Sequence, residues 1–343
     1  MVKTYFLGAN SKHGFYSLYD QFQPRAAMLH IIKGGPGTGK SGFMRRIGEA
    51  AEKRGLDVEY VLCSGDPDSL DGVYIPELNA AWVDGTAPHV GEPSCFAVDA
   101  DYVNIGQFLT LPFTQDEKDY VNLISRRYKA LYDKAYAYIS AAASVRSAAA
   151  PPVLSEKESA AARKKITAAF DKLHSVASPE SAKTHSRFLS AASCLGDYRL
   201  SDEISKLCKL IYILDGAPSH VSAALEFAAE ESLRRELDIV RCPSPVDPER
   251  LEALLIPGLS LAFTAFGDYE DAQHIKIGGT LDKDVKAELR AAAKLDTKLM
   301  ELAYLKLRQA KDLHDEMESV YKAHMDFPAL TKFTDSEIRE IFK

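Results

Sequence analysis

The chain has 343 residues, of which 46% are hydrophobic and 27% are charged, as expected for a soluble globular protein with room for two domains. A formal net charge of −7 argues against a broad nucleic-acid-binding surface, so nucleic acid is an unexpected partner. The five cysteines form no C-x-x-C pair and no apolar run reaches membrane-spanning length, so we expect a reduced, cytoplasmic protein without a zinc site, a membrane span or a signal peptide.

Three segments lead into the clearest motif of the sequence. Residues 3–22 carry aromatic and aliphatic side chains on both sides of a polar, glycine-containing stretch, which predicts a β-hairpin or a strand and loop. Residues 28–33 are mostly apolar and predict a strand. A helix over about 41–54 is predicted because apolar residues such as Phe43 and Ile47 recur at helical spacing.

Between this strand and helix, residues 34–41 read GGPGTGKS. The spacing G-x-x-x-x-G-K-[S/T] is typical of a phosphate-binding loop, in which glycines let backbone N–H groups approach phosphate oxygens. The helix that follows adds the positive end of its dipole. Lys40 is placed for the β- and γ-phosphates and Ser41 for Mg²⁺. The alternative is an ordinary glycine-rich turn. We predict that a nucleoside triphosphate is bound by Gly35, Pro36, Gly37, Thr38, Gly39, Lys40, Ser41 and Gly42.

Strand and loop signals continue through the first half. Residues 57–63 predict a second strand, residues 64–72 a carboxylate-rich loop, and residues 80–83 a short buried strand. This alternation predicts an α/β fold with a mostly parallel sheet covered by helices. Ligands of such folds bind at the carboxyl ends of the strands, where we expect the phosphate loop, Asp66 and Asp84 to meet.

Asp84 directly follows a predicted buried strand, which is the arrangement of a Walker-B carboxylate. It would hold Mg²⁺ directly or through water and act with Lys40 in catalysis. The alternatives are that Asp84 caps the following turn, or that Asp66 takes the metal role. Asp66, Asp68 and Asp71 could also bind a hydroxyl-bearing substrate, act as a base, or serve only in the turn.

A predicted helical insertion covers about residues 115–176, with a break near two consecutive prolines. Tyr128, Tyr132 and Tyr136 recur at a spacing of four in its first helix. This spacing favours packing against a partner helix over a ladder of rings that stacks on a ligand.

Comparison of the chain with itself indicates a tandem repeat. The offset that places Phe188 on Phe6 also places Gly216 on Gly34. After the loss of one residue from the second copy, a nearly equal offset places Leu237 on Leu56 and Asp247 on Asp66. So many matches at a nearly constant offset predict a duplication.

The duplication predicts two domains, residues 1–182 and residues 183–343, the second of which ends in a long helix over about 281–325. We expect the two halves to pack as an intramolecular pseudo-dimer, the arrangement that an isologous interface produces between subunits.

The second copy lacks the groups that hold phosphate. Its corresponding segment, residues 215–224, reads DGAPSHVSAA. In this alignment Ser222 and Ala223 stand opposite Lys40 and Ser41. We therefore predict a second half that keeps the fold and does not bind a nucleoside triphosphate in the same way.

Residues found only in the first copy are candidates for function. Asn10, Lys12 and His13 of the hairpin, and Arg126 and Arg127 of the helical insertion, could contact the nucleotide or have ordinary surface roles. The candidates from the comparison of the copies are Asn10, Lys12, His13, Lys40, Ser41, Asp84, Thr86 and His89.

Four segments resemble a family of tandem P-loop ATP-binding proteins that occurs mainly in Gram-positive anaerobes. They read FLGANSKHGFYSLYD, IIKGGPGTGKS, CSGDPDSLDGVYIPEL and DGTAPH. The resemblance implies tandem P-loop NTPase-like domains and ATP as the nucleotide. Members of the family often carry a second phosphate loop, from which this chain departs because residues 215–224 lack the Lys-Ser pair.

These observations predict a Mg²⁺-dependent ATPase with one intact phosphate loop. A kinase of an unidentified small molecule is an alternative. So is a nucleotide-operated switch or scaffold that binds an unidentified protein and shifts its two halves on ATP binding.

Overall fold

The computed structural model describes residues 1–21, 27–86, 97–173 and 182–343. In these ranges it contains two six-stranded sheets, two β-hairpins and seven α-helices. The first half forms β1 (Val2–Phe6), β2 (Gly8–Ser11), β3 (Gly14–Ser17), β4 (Met28–Lys33), α1 (Lys40–Glu52), β5 (Val58–Leu62), β6 (Leu70–Ile75), β7 (Ala80–Asp84), β8 (Ala100–Asn104), α2 (Gln115–Ala148) and α3 (Glu156–Asp171). The second half forms β9 (Thr184–Ser186), β10 (Ser190–Ser193), β11 (Gly196–Arg199), α4 (Ser201–Leu207), β12 (Leu210–Asp215), α5 (Pro218–Arg234), β13 (Ile239–Pro243), β14 (Leu251–Ile256), β15 (Leu261–Thr264), β16 (Gln273–Lys276), α6 (Lys283–Ala323) and α7 (Phe327–Ile341).

The two sheets have the same strand order. The first runs β1-β5-β6-β7-β4-β8 and the second runs β9-β13-β14-β15-β12-β16. Every strand is parallel to the others of its sheet except β6 in the first and β14 in the second. Short turns join these two strands to the strands on either side, as antiparallel pairing permits. The predicted α/β architecture with mostly parallel sheets is therefore confirmed.

The strand β6 begins inside the segment predicted to be a loop. Asp71 and Gly72 have low strand propensity, yet both are buried within β6. Packing against β5, β7 and α1 overrides the local preference of these residues.

The two halves meet in contacts that come in equivalent pairs. Phe6 and Phe188, which are counterparts in the two copies, exchange two backbone hydrogen bonds of 2.9 and 3.0 Å. The Phe6 ring packs edge-on against Tyr198, and the Phe188 ring packs in the same way against Tyr16, each at 6.1 Å between ring centroids and an interplanar angle of 88°. Contacts between a residue and its own counterpart are the mark of an isologous interface.

The hairpins β2–β3 and β10–β11 extend this interface. The Asn10 amide donates to the carbonyl of Ala192, its own counterpart, over 2.8 Å. The Lys12 N–H donates to Val246 O at 2.9 Å, and the Cys194 N–H donates to Gly65 O at 3.1 Å. These residues therefore join the two halves.

The helices that follow each sheet are exchanged between the halves. α2 and α6 pack along each other. Beyond them, α3 lies on the second sheet, where Ile166 and Phe170 join the core. In the same way α7 lies on the first sheet, where Leu330 joins the core. Position 182 lies between the strands of the two sheets, whereas α3 and α7 each pack on the sheet of the other half.

Candidate functional site

The glycine-rich segment forms the connection from β4 to α1. Gly37 and Gly39 adopt φ values of 70° and 94°, a region that L residues with a side chain rarely occupy. A Cβ atom on Gly37 would lie 2.9 Å from the carbonyl oxygen of Glu318, and one on Gly39 would lie 2.8 Å from the Leu330 side chain. Glycine is therefore required here both for the backbone conformation and for the close approach of the second half.

Lys40, the first residue of α1, points its ammonium group back into the loop. Its side chain is only 9% exposed and its Nζ lies 3.6 Å from Asp84 Oδ2. The Nζ donates to the carbonyl oxygens of Gly35 at 2.8 Å and Gly34 at 3.2 Å. Bonds between an ammonium and a phosphate oxygen are charge-assisted and stronger than bonds to a neutral carbonyl. The cation is thus held in the loop by partners that an anion can replace.

Asp84 ends β7, the strand that pairs with β4, and lies opposite Ile32. Its Oδ1 accepts hydrogen bonds from the Thr86 N–H at 2.8 Å and the Thr86 hydroxyl at 2.6 Å. Its Oδ2 faces Lys40. One oxygen of Asp84 therefore caps the turn, while the other faces Lys40 in the glycine-rich loop.

Ser41 ties α1 to the sheet, since its Oγ accepts a hydrogen bond from the Leu70 N–H at 3.0 Å. Ser222 Oγ accepts the same bond from the Leu251 N–H, also at 3.0 Å. The counterpart of Ser41 is therefore Ser222.

This shared bond corrects the sequence alignment, which placed Ala223 opposite Ser41 and Ser222 opposite Lys40. The residue missing from the second copy therefore lies within the loop. The shorter of the two sequence offsets already applies at the start of the helix, which makes Val221 the counterpart of Lys40. The second copy keeps the serine that fastens the helix and lacks the lysine.

The matched serines allow a direct test. We expect Ser41→Ala and Ser222→Ala each to lower the free energy of unfolding by about 1–3 kcal/mol, because each leaves a buried N–H without its acceptor. Only Ser41→Ala should also weaken Mg²⁺-dependent nucleotide binding. Urea denaturation and titration calorimetry measure the two effects. A comparable loss of affinity in Ser222→Ala would contradict the inactive second loop.

A cavity of about 470 Å³ lies over the loop, within the range of sites for small ligands and cofactors. The first half lines it with the loop, Asp66, Asp71, Asp84 and two tyrosines of α2. The second half contributes residues of α6 and α7, namely Lys311, His314, Met317, Glu318, Lys322 and Phe327. The sequence did not predict this second wall.

The three carboxylates in and just before β6 lie in three different environments. Asp66 lines the cavity, where its Oδ2 accepts from the Ser69 hydroxyl at 3.0 Å and lies 3.6 Å from Lys311 Nζ. Asp68 is exposed. Asp71 is buried, and its hydrogen bond and charge add to the effect of burial in raising the pKa of Tyr19. Asp66, a predicted metal ligand, is thus already engaged by a turn and by a lysine of the second half.

Residues 108–110 and Glu117 of the first half hold the corner between α6 and α7. The Thr110 N–H donates to His324 O at 2.8 Å, and the Asp326 N–H donates to Phe108 O at 2.9 Å. His324 Nε2 lies 2.8 Å from Glu117 Oε1. Hydrogen bonds from His324 and then from Thr114 lower the pKa of Glu117 to about 2. The helix corner that covers the loop is therefore held by both backbone and charged contacts.

Other candidates lie away from the loop or outside the described residues. Lys12 pairs with Asp247 at 2.7 Å in the interface between the halves, and His13 lies 3.4 Å from Glu249 there. The prediction that the hairpin reaches the nucleotide is not supported by these contacts. Arg126 and Arg127 are exposed and do not line the cavity, whereas Thr86 does. His89 lies outside the described residues.

Two of the three α2 tyrosines line the cavity instead of only packing against a helix. Tyr128 and Tyr132 have ring centroids 4.9 Å apart, and both contact the cavity. Burial raises the pKa of Tyr128 to about 12, so the hydroxyl stays protonated near neutral pH. Tyr136 instead donates to Asn10 Oδ1 at 3.1 Å.

The corresponding position in the second half is filled by side chains. His220 Nε2 lies 2.8 Å from the carbonyl oxygen of Pro152, and Val221 is buried in the second core. At the end of β12, Asp215 pairs with His274 at 2.8 Å. Val221 thus takes the place of Lys40, and Asp215 takes the place of Lys33, the last residue of β4.

Within the described ranges, no helix combines the length and apolar character that a bilayer crossing requires. Comparisons of the chain with models of protein families, with curated proteins and with solved structures gave no match.

Proposed function

We propose that the chain is a Mg²⁺-dependent ATPase with a single phosphate loop, residues 34–42, on a P-loop NTPase-like first half. The observation that carries this proposal is the position of Lys40. Its ammonium is nearly buried, held by two loop carbonyls and 3.6 Å from Asp84. The contrast with Val221 supports a single site, because the second loop offers no equivalent cation.

The donors around the loop suit a nucleoside triphosphate. Backbone N–H groups of the loop and the N-terminus of α1 favour an anion. The Ser41 hydroxyl and the Asp84 carboxylate are hard oxygen donors of the kind that Mg²⁺ prefers. Bound Mg²⁺ would offset the charge on the β- and γ-phosphates. ATP is chosen as the nucleotide because of the family resemblance and because the sequence has no guanine-selecting N-K-x-D stretch.

The proposal is tested by titrating the protein with ATP and Mg²⁺ and by measuring phosphate release. We expect micromolar affinity that Lys40→Ala weakens by at least about 100-fold, since a lost charge-assisted contact of about 3 kcal/mol corresponds to that factor. The matched control is Lys53→Ala, because Lys53 is an exposed lysine just beyond α1. Absence of ATP binding to the unaltered protein would refute the proposal.

A second candidate function is a nucleotide-operated switch. It is favoured by the direct contact of α6 with the loop, where a Cβ on Gly35 would lie 2.4 Å from the Tyr321 ring. Any movement of the loop on nucleotide binding would therefore reach the second half. ATP binding without phosphate release above the Lys40→Ala background would favour this function over hydrolysis.

A further inference from the structure

The second half presents a histidine and a glutamate to the cavity on successive turns of α6. His314 and Glu318 both line the cavity opposite the phosphate loop, with side chains 32% and 23% exposed. The ring of His314 also lies 5.9 Å from the ring of Tyr128. An imidazole is thus present in the wall of the same cavity as the Lys40 ammonium.

Glu318 is well placed to orient this imidazole. His314 Nδ1 lies 3.6 Å from Glu318 Oε1, longer than a hydrogen bond, as is common for catalytic pairs before a ligand is bound. Glu318 is fixed by an ion pair of 2.7 Å with Lys322 and by packing over Gly37. A carboxylate beside Nδ1 keeps a proton on that nitrogen and leaves Nε2 free to accept one.

Burial favours the neutral form of His314, because it is the largest cause acting on the pKa of the imidazole and lowers it. Glu318 and Asp315 on the same helix act in the opposite direction, whereas Lys311 on that helix and Lys40 on α1 lower the pKa further. A neutral imidazole is the form that can take a proton.

The carboxylates with which the first half lines the cavity already have partners. Asp71 is buried in β6 and is hydrogen-bonded to Tyr19. Asp84 accepts two hydrogen bonds from Thr86 and faces Lys40. Asp66 accepts from Ser69 and faces Lys311.

We propose that His314, oriented by Glu318, is the general base of the phosphate-loop site, so that the second half supplies a catalytic residue to the first. This inference rests on the proposed ATPase function. The imidazole nitrogen takes a proton from water while the water oxygen forms a bond to the γ-phosphorus. The bond from that phosphorus to the β–γ bridging oxygen breaks, and its electron pair leaves with ADP. The imidazolium then releases its proton to solvent, which completes the hydrolysis of ATP to ADP and phosphate.

The test compares His314→Gln and Glu318→Gln with Glu316→Gln, an exposed control on the same helix. We expect His314→Gln to bind ATP within about threefold of the unaltered protein and to lose roughly 10²- to 10⁴-fold in kcat. Glu318→Gln should lose less, and Glu316→Gln should be unchanged. In the unaltered protein kcat should fall at acid pH, because the imidazole becomes protonated and can no longer accept a proton. In His314→Gln this fall of kcat should be absent.

The outcomes separate the inference from the function on which it rests. If the unaltered protein does not bind ATP, the proposed function fails. If ATP is bound and hydrolysed but His314→Gln keeps its kcat within threefold, or regains it with excess Mg²⁺, the base assignment is overturned. Far-ultraviolet circular dichroism, which follows the helices of both halves, verifies folding of each variant. If His314→Gln does not fold, the test is the pH dependence of kcat in Glu318→Gln. A dependence identical to that of the unaltered protein would overturn the orienting role of Glu318 and with it the proposal.

Discussion

Leu330→Ala is expected to lower the free energy of unfolding by roughly 2–5 kcal/mol, the cost of removing a buried leucine side chain, and also to weaken nucleotide binding. Leu330 is buried in the first core although it belongs to the second half. Its side chain lies directly over Gly39. Without it the loop loses the packing that fixes its conformation, so we expect an affinity about tenfold lower, or ~1.4 kcal/mol.

Ile166→Ala is the matched control for this prediction. Ile166 is fully buried on α3, the helix that the first half places on the second sheet. It should cost a similar amount of stability and leave nucleotide affinity unchanged. Urea denaturation and calorimetry, at a temperature where both variants are folded, measure the two quantities. Equal losses of affinity in the two variants would show that α7 has no specific effect on the loop.

Phe188→Ala, a substitution in the second half, is expected to destabilise the first half as much as Phe6→Ala does. Both rings are fully buried at the interface, and truncation of a buried phenylalanine costs about 3–5 kcal/mol. Trp82 is the single tryptophan of the chain and is buried in the first sheet, so its fluorescence reports unfolding of the first half alone.

The measurement is the urea dependence of Trp82 fluorescence in both variants. Leu233→Ala, on the exposed side of α5, serves as the control and should change stability by less than about 0.5 kcal/mol. If Phe188→Ala leaves the midpoint of the Trp82 transition unchanged, the halves unfold independently, which would contradict the interface of Phe6 and Phe188 described above.

The glycine-rich loop of residues 34–41 could be predicted from the sequence because its signal is local. Glycines, a lysine and a serine at fixed spacing predict the turn and the position of Lys40, whereas the packing of Glu318 and Leu330 over this loop could not be predicted from them. The two sheets were predicted for a similar reason, since the repeat doubles every strand signal. The position of the missing residue in the second copy was not determined by pattern matching, and only the bonds of Ser41 and Ser222 located it.

The second wall of the cavity could not be predicted in this way. His314 and Glu318 lie on an ordinary polar face of a long amphipathic helix, and nothing in their spacing distinguishes them from solvated residues. Their position in the cavity wall depends on how α6 crosses from one half to the other. Helix α7 was not predicted for the same reason, because the surface that it buries belongs to elements far away in the sequence.

The exchange of helices also sets the order in which the protein can be completed. During synthesis the loop residues 34–42 emerge early, whereas α7 (Phe327–Ile341) emerges after the whole of the second sheet. Domains commonly fold as they leave the ribosome, but here α7 of the second half completes the core against the first sheet. A ligand of the proposed phosphate loop would therefore meet a finished site only on a chain that already includes α7, and occupancy of the loop would report that both halves have been made and joined.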